Sequence, residues 1–158
     1  MTVQQCKDSF THVSRDDYKK ETVVHTSANI LAYEPSDQLS VKSFRLQAVK
    51  EDSSKKVSYR LTLKTCHART AIYWKSVVDR NGRAFSLEGY AEYEKDHNID
   101  TILVTEYYYA ELSREYLESI QETGIHMRFY GVITRDAYMW PQVIQGFLMR
   151  ADEEFKKY

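Results

Sequence analysis

Apolar and polar positions alternate with a period of two through the middle of the chain and repeat at three and four near its end, so strands are expected first and a helix last. Phe44, Leu46 and Ala48 alternate with polar residues, as do Val57, Tyr59, Leu61 and Leu63. A tight turn at Ser53–Ser54 would join the two runs, setting Ala48 against Tyr59, Leu46 against Leu61 and Phe44 against Leu63. The same register puts Glu51 opposite Lys56 and Asp52 opposite Lys55, so apolar face and charge pairs agree.

A second hairpin is expected at Asn81-Gly82, the pair preferred where both turn residues need positive φ. Counting outward gives Val78 opposite Phe85, Ser76 opposite Leu87 and Trp74 opposite Gly89. The other face then pairs Lys75 with Glu88 and Tyr73 with Tyr90. The loop KDHNID (95–100) leads to a strand-helix-strand unit over 101–131. Residues 101–110 are rich in β-branched and aromatic side chains. Ser113 suits an N-cap, Leu112 and Leu117 a hydrophobic staple, and Glu115 the first helical turn. Tyr116, Leu117 and Ile120 give the helix, near 114–123, an apolar face. Gly124 ends it, Ile125 packs back on Ile120, and 126–130 resume as a strand.

Near the end of the chain Trp140, Val143, Ile144, Phe147, Leu148, Ala151, Phe155 and Tyr158 mark an amphipathic helix near 141–157. Pro141 sits at its first position, and Asp152–Lys156 and Glu153–Lys157 are spaced as i,i+4 pairs. Gly146 costs that helix about 1 kcal/mol relative to alanine, which points to a close contact, expected with the sheet. Residues 1–22 read as a polar arm, loosely attached, with a short helix near Ser14–Lys20. Residues 23–33 read as a first strand, EPSDQ (34–38) as a turn, and 132–138 have no clear period. The whole is one α+β domain: a mainly antiparallel sheet of five to seven strands with two hairpins, and the C-terminal helix packed on one face.

Composition adds bounds. A chain of 158 residues, 28% charged and 42% hydrophobic, is long enough for a real core and fits a soluble globular class. No apolar run is long enough to span a bilayer, and no secretory signal is visible. A native start at Met1 would place the chain in the cytoplasm; removal of a signal or lipid anchor would place it in the periplasm or on a membrane. Cys6 and Cys66 are expected as free thiols, the alternative being one bridge in an oxidising compartment.

Candidate chemistry is sparse. The five glycines are too far apart for a phosphate-cradling loop, and the five histidines lack zinc spacing. Cys66-His67 are strand neighbours on opposite faces and cannot act as nucleophile and base. Asp96, Asn98 and Asp100 begin like a calcium loop, but Thr101 stands where glycine is needed. Glu88, Glu92 and Glu94 share a strand face and read as solvated carboxylates. No metal site, cofactor or catalytic constellation is expected.

Charge is unevenly distributed. Residues 41–83 hold eleven Lys/Arg against three acids, and residues 84–123 hold two against ten. Pairing between neighbouring strands would absorb much of this. Arg45, Arg60 and Lys64, flanked by Lys42 and Arg69, nevertheless fall on the outward face of the first hairpin, opposite Gln47 or Thr62 rather than acids. Tyr107, Tyr109 and Glu111 share one face of their strand, and Tyr108 lies on the other with Glu106. These six residues, Arg45, Arg60, Lys64, Tyr107, Tyr109 and Glu111, are the candidate binding set. The expected role is a non-enzymatic interaction domain for a protein partner through an exposed sheet face. A small-molecule-binding protein or small hydrolase, with a pocket between sheet and C-terminal helix, is the alternative. The near-neutral overall charge argues against nucleic acid.

Overall fold

The computed structural model describes residues 1–27, 39–98 and 100–157, with 39–42 described by backbone alone. The turn expected at 34–38, residues 28–33 of the strand expected over 23–33, Tyr158 of the expected helical stripe and the side chain of Lys42 lie outside the described residues. The elements are α1 (Val3–Phe10), β1 (Thr11–Asp16), β2 (Glu21–Thr26), β3 (Leu39–Glu51), β4 (Val57–Ala68), β5 (Ser76–Asp79), β6 (Ala84–Ser86), β7 (Glu88–Asp96), β8 (Thr101–Leu112), α2 (Arg114–Ile120), β9 (Ile125–Tyr130), β10 (Thr134–Met139) and α3 (Pro141–Phe155). The fold is α+β and mainly antiparallel. Its strands divide into two sheets, of order β1-β2-β3-β4-β8-β7 and β10-β9-β5-β6.

The first turn of α1 is closed by a capping box: the Gln5 N–H donates to Thr2 Oγ1 at 3.1 Å and the Thr2 N–H to Gln5 Oε1 at 2.8 Å. The helix expected near Ser14–Lys20 does not form. Those residues end β1 and turn into β2, because the Asp16 carboxylate accepts the N–H groups of Tyr18 and Lys19, both at 3.0 Å. Such a local side-chain turn competes directly with helix.

The first hairpin has the expected register, Ala48 facing Tyr59, Leu46 facing Leu61 and Phe44 facing Leu63. Neither of its expected charge pairs forms among the described residues: Glu51 stands opposite Lys56, but its Oε2 accepts the Ser54 hydroxyl at 2.7 Å. Asp52 is held by the Arg15 fork, Nη1 to Oδ1 at 2.7 Å with a second contact from Nη2, and not by Lys55. A planar guanidinium engages both carboxylate oxygens where an ammonium engages one.

The second hairpin is shifted by one residue: Val77 faces Phe85 and Val78 faces Ala84. Of the turn pair only Gly82 has positive φ, at +86°. The Gly82 N–H donates to the Asp79 carbonyl at 3.0 Å, and Asp79 Oδ1 accepts the N–H of Asn81 and Arg83 at 2.9 and 2.8 Å. Asp79 therefore draws the turn one residue back, giving a three-residue loop that ends in a left-handed glycine. The strand also breaks after Ser86. Glu88 onward crosses to the other sheet, where Gly89 faces Tyr108 and Tyr90 faces Tyr107. The expected pairs Trp74–Gly89, Lys75–Glu88 and Tyr73–Tyr90 are thus absent. Trp74 is buried instead, its Nε1–H donating to Thr65 Oγ1 at 3.0 Å and its ring edge-on to Phe129.

The strand-helix-strand unit forms as expected. Ser113 Oγ accepts the Tyr116 N–H at 3.0 Å, Tyr116, Leu117 and Ile120 are buried, and Gly124 (φ +88°) donates its N–H to the Ile120 carbonyl at 2.8 Å. The helix proper stops at Ile120. The unassigned stretch after Gly131 supplies β10, paired with β9.

Helix α3 lies over β1, β2, β3 and α1. Its Ile144 and Phe147 are fully buried in the same core cluster as Phe44, Leu46 and Leu61 of the first hairpin. Lys50, buried on the inner face, donates from Nζ to the Phe155 carbonyl at the negative end of α3. Gly146 does mark a close approach, but to α1 rather than to the sheet: a Cβ there would stand 2.7 Å from the Lys7 nitrogen. The acids of α3 reach beyond the helix. Asp152 receives both Nη atoms of Arg114 at 2.7 and 3.0 Å, and Glu153 receives Lys7 Nζ at 2.8 Å, in place of the expected i,i+4 lysines. Cys6 and Cys66 are both free, Cys6 fully buried in the core.

Candidate functional site

The inner face of the six-stranded sheet is covered, so strand alternation sends the opposite set of side chains outward. Three adjacent rows run across that outer face. Directly opposed in the first are His12, His25, Gln47, Arg60 and Glu111, on β1, β2, β3, β4 and β8. In the second Arg45, Thr62, Tyr109 and Glu88 stand in line on β3, β4, β8 and β7, and beside it Ser43, Lys64, Tyr107 and Tyr90 do the same. The six residues expected from the sequence come together here. Five of them, with Tyr90 and Gln47, line an open depression of about 410 Å³; Glu111 stands at its edge, paired with Arg60.

The cations are engaged to different degrees. Arg60 donates from Nε to Glu111 Oε1 at 2.9 Å and lies 4.8 Å over the Tyr109 ring. An acid does therefore answer Arg60, supplied by β8 rather than by the hairpin partner. Lys64 Nζ stands 5.3 Å over the Tyr107 ring, a cation–π contact, and has no carboxylate bonded to it among the described residues. Arg45 makes no hydrogen bond or ion pair among the described residues, and its Nε is buried without an acceptor.

The tyrosines form a platform. Tyr90 and Tyr107 are tilted together with centroids 5.3 Å apart, and Tyr90 remains 57% exposed, so its ring is available to a ligand. Tyr109 donates its hydroxyl to Glu88 Oε2 at 2.9 Å; that bond and the nearby negative charge push its ionisation upward. At the β2 side burial holds the His25 ring below the usual imidazole range, reinforced by Arg45 and His12. The face is polarised, basic over β3 and β4 and acidic toward β7.

Sequence reasoning did not find His12, His25 or the position of Tyr90. The alternation of 21–26 shows that His25 faces away from Val24, but not which strand lies beside it.

Behind the face, Glu106 is fully buried and accepts the N–H groups of Ile72 and Tyr73 at 2.8 and 2.7 Å, with His67 Nε2 at 3.2 Å and the Tyr108 hydroxyl at 3.3 Å. Burial, first of all, together with this carboxylate pushes the Tyr108 hydroxyl up to about 12. The arrangement fixes the backbone that crosses from β4 to β5. Both carboxylate oxygens are occupied, so it resembles an anchor rather than a reacting centre. A second depression of about 440 Å³ lies on the four-stranded sheet, where Arg128 and Asp136 neutralise each other at 2.6 Å.

Among the described residues no group of three or more His, Cys, Asp or Glu side chains could hold a metal ion, and no helix is long and apolar enough to cross a membrane. Asp96, from the loop with calcium-like spacing, accepts the Asn98 N–H at 2.9 Å. No model of a protein family matches the chain, and searches among curated proteins and solved structures find no match either.

Proposed function

We propose that the protein is a non-enzymatic binding domain that takes an acidic surface of a protein partner on the outer face of its six-stranded sheet. The observation that carries this reading is the imbalance on that face: Arg45, Arg60 and Lys64 line one depression, and among the described residues only Arg60 has a carboxylate bonded to it. A basic surface of this kind steers and orients an acidic partner. Tyrosine and arginine side chains supply large contact area at low entropic cost and dominate the energetics of many interfaces.

The test is capture of partners from an extract of the native source by wild type, by Arg60→Glu/Lys64→Glu and by Tyr107→Ala/Tyr109→Ala, followed by reconstitution with the purified partner. One acidic protein retained by wild type and weakened at least about tenfold by the charge reversal supports the reading. Equal affinity for wild type and both variants overturns it. Moderate loss of affinity with salt is expected; a slope as steep as that of counterion release would indicate nucleic acid instead.

A further inference from the structure

We propose that Arg45 and His25, with Lys64 on the flank, form an oxyanion subsite within this face that takes a carboxylate or phosphate group. The proposal rests on reading the outer face as the binding surface and names the chemistry at its centre. Arg45 is the hub. Its direct neighbour on β4 is Thr62, and its diagonal neighbours are Arg60 and Lys64 on β4 and His25 on β2. Diagonal residues on one sheet face lie within reach of long side chains.

Two buried nitrogens in this cluster, Arg45 Nε and His25 Nδ1, have no hydrogen-bond partner. Arg15, Arg60, Arg114 and Arg128 each bond an Asp or Glu within 3.0 Å, which Arg45 does not do among the described residues. A guanidinium with other cations as its diagonal neighbours, no acid bonded to it among the described residues and an open depression beside it lacks the component that an oxyanion supplies. Tyr90 and Tyr107 beside it offer ring faces to whatever carries the anion.

A second consequence follows from the neighbours of His25. His12 faces it from β1 with ring centroids 5.5 Å apart, Arg45 approaches from β3, and its direct β3 partner is the neutral Gln47. Beyond Gln47 in the same row stand Arg60 and its partner Glu111, and Glu21 stands four residues away on β2. With burial added, the positive neighbours keep the ring neutral. An oxyanion bound between Arg45 and His25 reverses that field, so the ring takes up a proton as the anion binds. Linkage then makes affinity rise as pH falls through the bound-state midpoint, by at most about tenfold per pH unit for one proton. The gain ends below the free-state midpoint.

The experiment is an NMR titration of the histidine rings of the full chain against pH, in chloride alone, with inorganic phosphate and with glutarate. The expected result is an upward movement of the His25 midpoint with phosphate or glutarate, and saturable binding that weakens at least about tenfold in Arg45→Gln. Glutarate as the tighter probe identifies acidic side chains as the source, and phosphate as the tighter probe identifies phosphorylated groups; either supports the subsite. Should Arg45→Gln not fold, His25→Gln provides the second reading: binding persists but loses its pH dependence. A His25 midpoint unmoved by both anions, or binding unchanged in a folded Arg45→Gln, overturns the proposal. Anion binding that persists while Arg60→Glu/Lys64→Glu leaves partner affinity unchanged overturns the protein-partner reading and keeps the subsite.

Discussion

Arg60 on β4 and Glu111 on β8 face each other across the sheet, Nε to Oε1 at 2.9 Å, with the guanidinium 4.8 Å over Tyr109. Both side chains are more than a third exposed, at 38% and 57%, so the pair contributes at most about 1 kcal/mol. Arg60→Glu/Lys64→Glu places two acids opposite each other and should lower the melting temperature by only a few degrees, read by circular dichroism. Unfolding at room temperature would mean that these cations are structural.

Glu106 is the opposite case. Replacing it by Gln puts an NH₂ group where one of two backbone N–H donors now finds an oxygen, leaving that donor unsatisfied and in contact with another. A loss of about 2–3 kcal/mol is expected in urea denaturation, with the larger share in the segment between β4 and β5. Hydrogen exchange at the Ile72 and Tyr73 amides gives the local readout.

Gly146→Ala pits helix propensity against sterics. Alanine favours the helix by about 1 kcal/mol, but its methyl group would lie 2.7 Å from the Lys7 nitrogen and 3.0 Å from its Cα, both backbone atoms. Overpacking should prevail, with a net loss of about 1–2 kcal/mol and earlier hydrogen exchange in α1. A stabilised variant would show that α1 yields freely.

Arg15 and Asp52 tie β1 to the end of the first hairpin, and hydrogen bonding to Arg15 holds the Asp52 carboxyl below its usual range. Because the folded state binds that proton less readily than the unfolded state, the stabilisation is complete above about pH 4. It is lost as pH falls from there through the folded-state value. Arg15→Gln should flatten this acid limb of the stability curve and leave the His25 region unaffected.

The two thiols should separate by reactivity. Cys6 is fully buried, and burial pushes its ionisation upward, whereas Cys66 is only half-buried on the outer face. An aromatic disulfide reagent should therefore modify Cys66 in the native protein and both thiols after denaturation, as counted by mass.

Where pairing was local and side-chain pattern agreed with turn chemistry, the sequence was explicit. The first hairpin, the Ser113 cap, the Gly124 ending and the apolar stripe of α3 all follow from residues close in the chain. The Asn81-Gly82 pair misled because Asp79, two residues earlier, offers its carboxylate to two backbone amides and recruits only the glycine. The departure of β7 was hidden for another reason: nothing in Glu88–Asp96 states that its partner is β8 rather than β5. The candidate face was half legible. Alternation alone put Arg45, Arg60 and Lys64 on one side and Tyr107, Tyr109 and Glu111 on another strand's side. That the two sets meet depends on β4 pairing with β8, and that His25 joins them depends on β2 pairing with β3. Those are long-range choices made by burial of the opposite face.

The order in which the chain leaves the ribosome gives α3 a further significance. The strands whose apolar side it covers are complete once Ala68 has been made, whereas α3 begins only at Pro141. Until then Phe44, Leu46 and Leu61 belong to a sheet without its lid. The nascent chain must carry that greasy surface through the synthesis of the whole second sheet, and this is the interval in which a chaperone, or a neighbouring nascent chain, would find it.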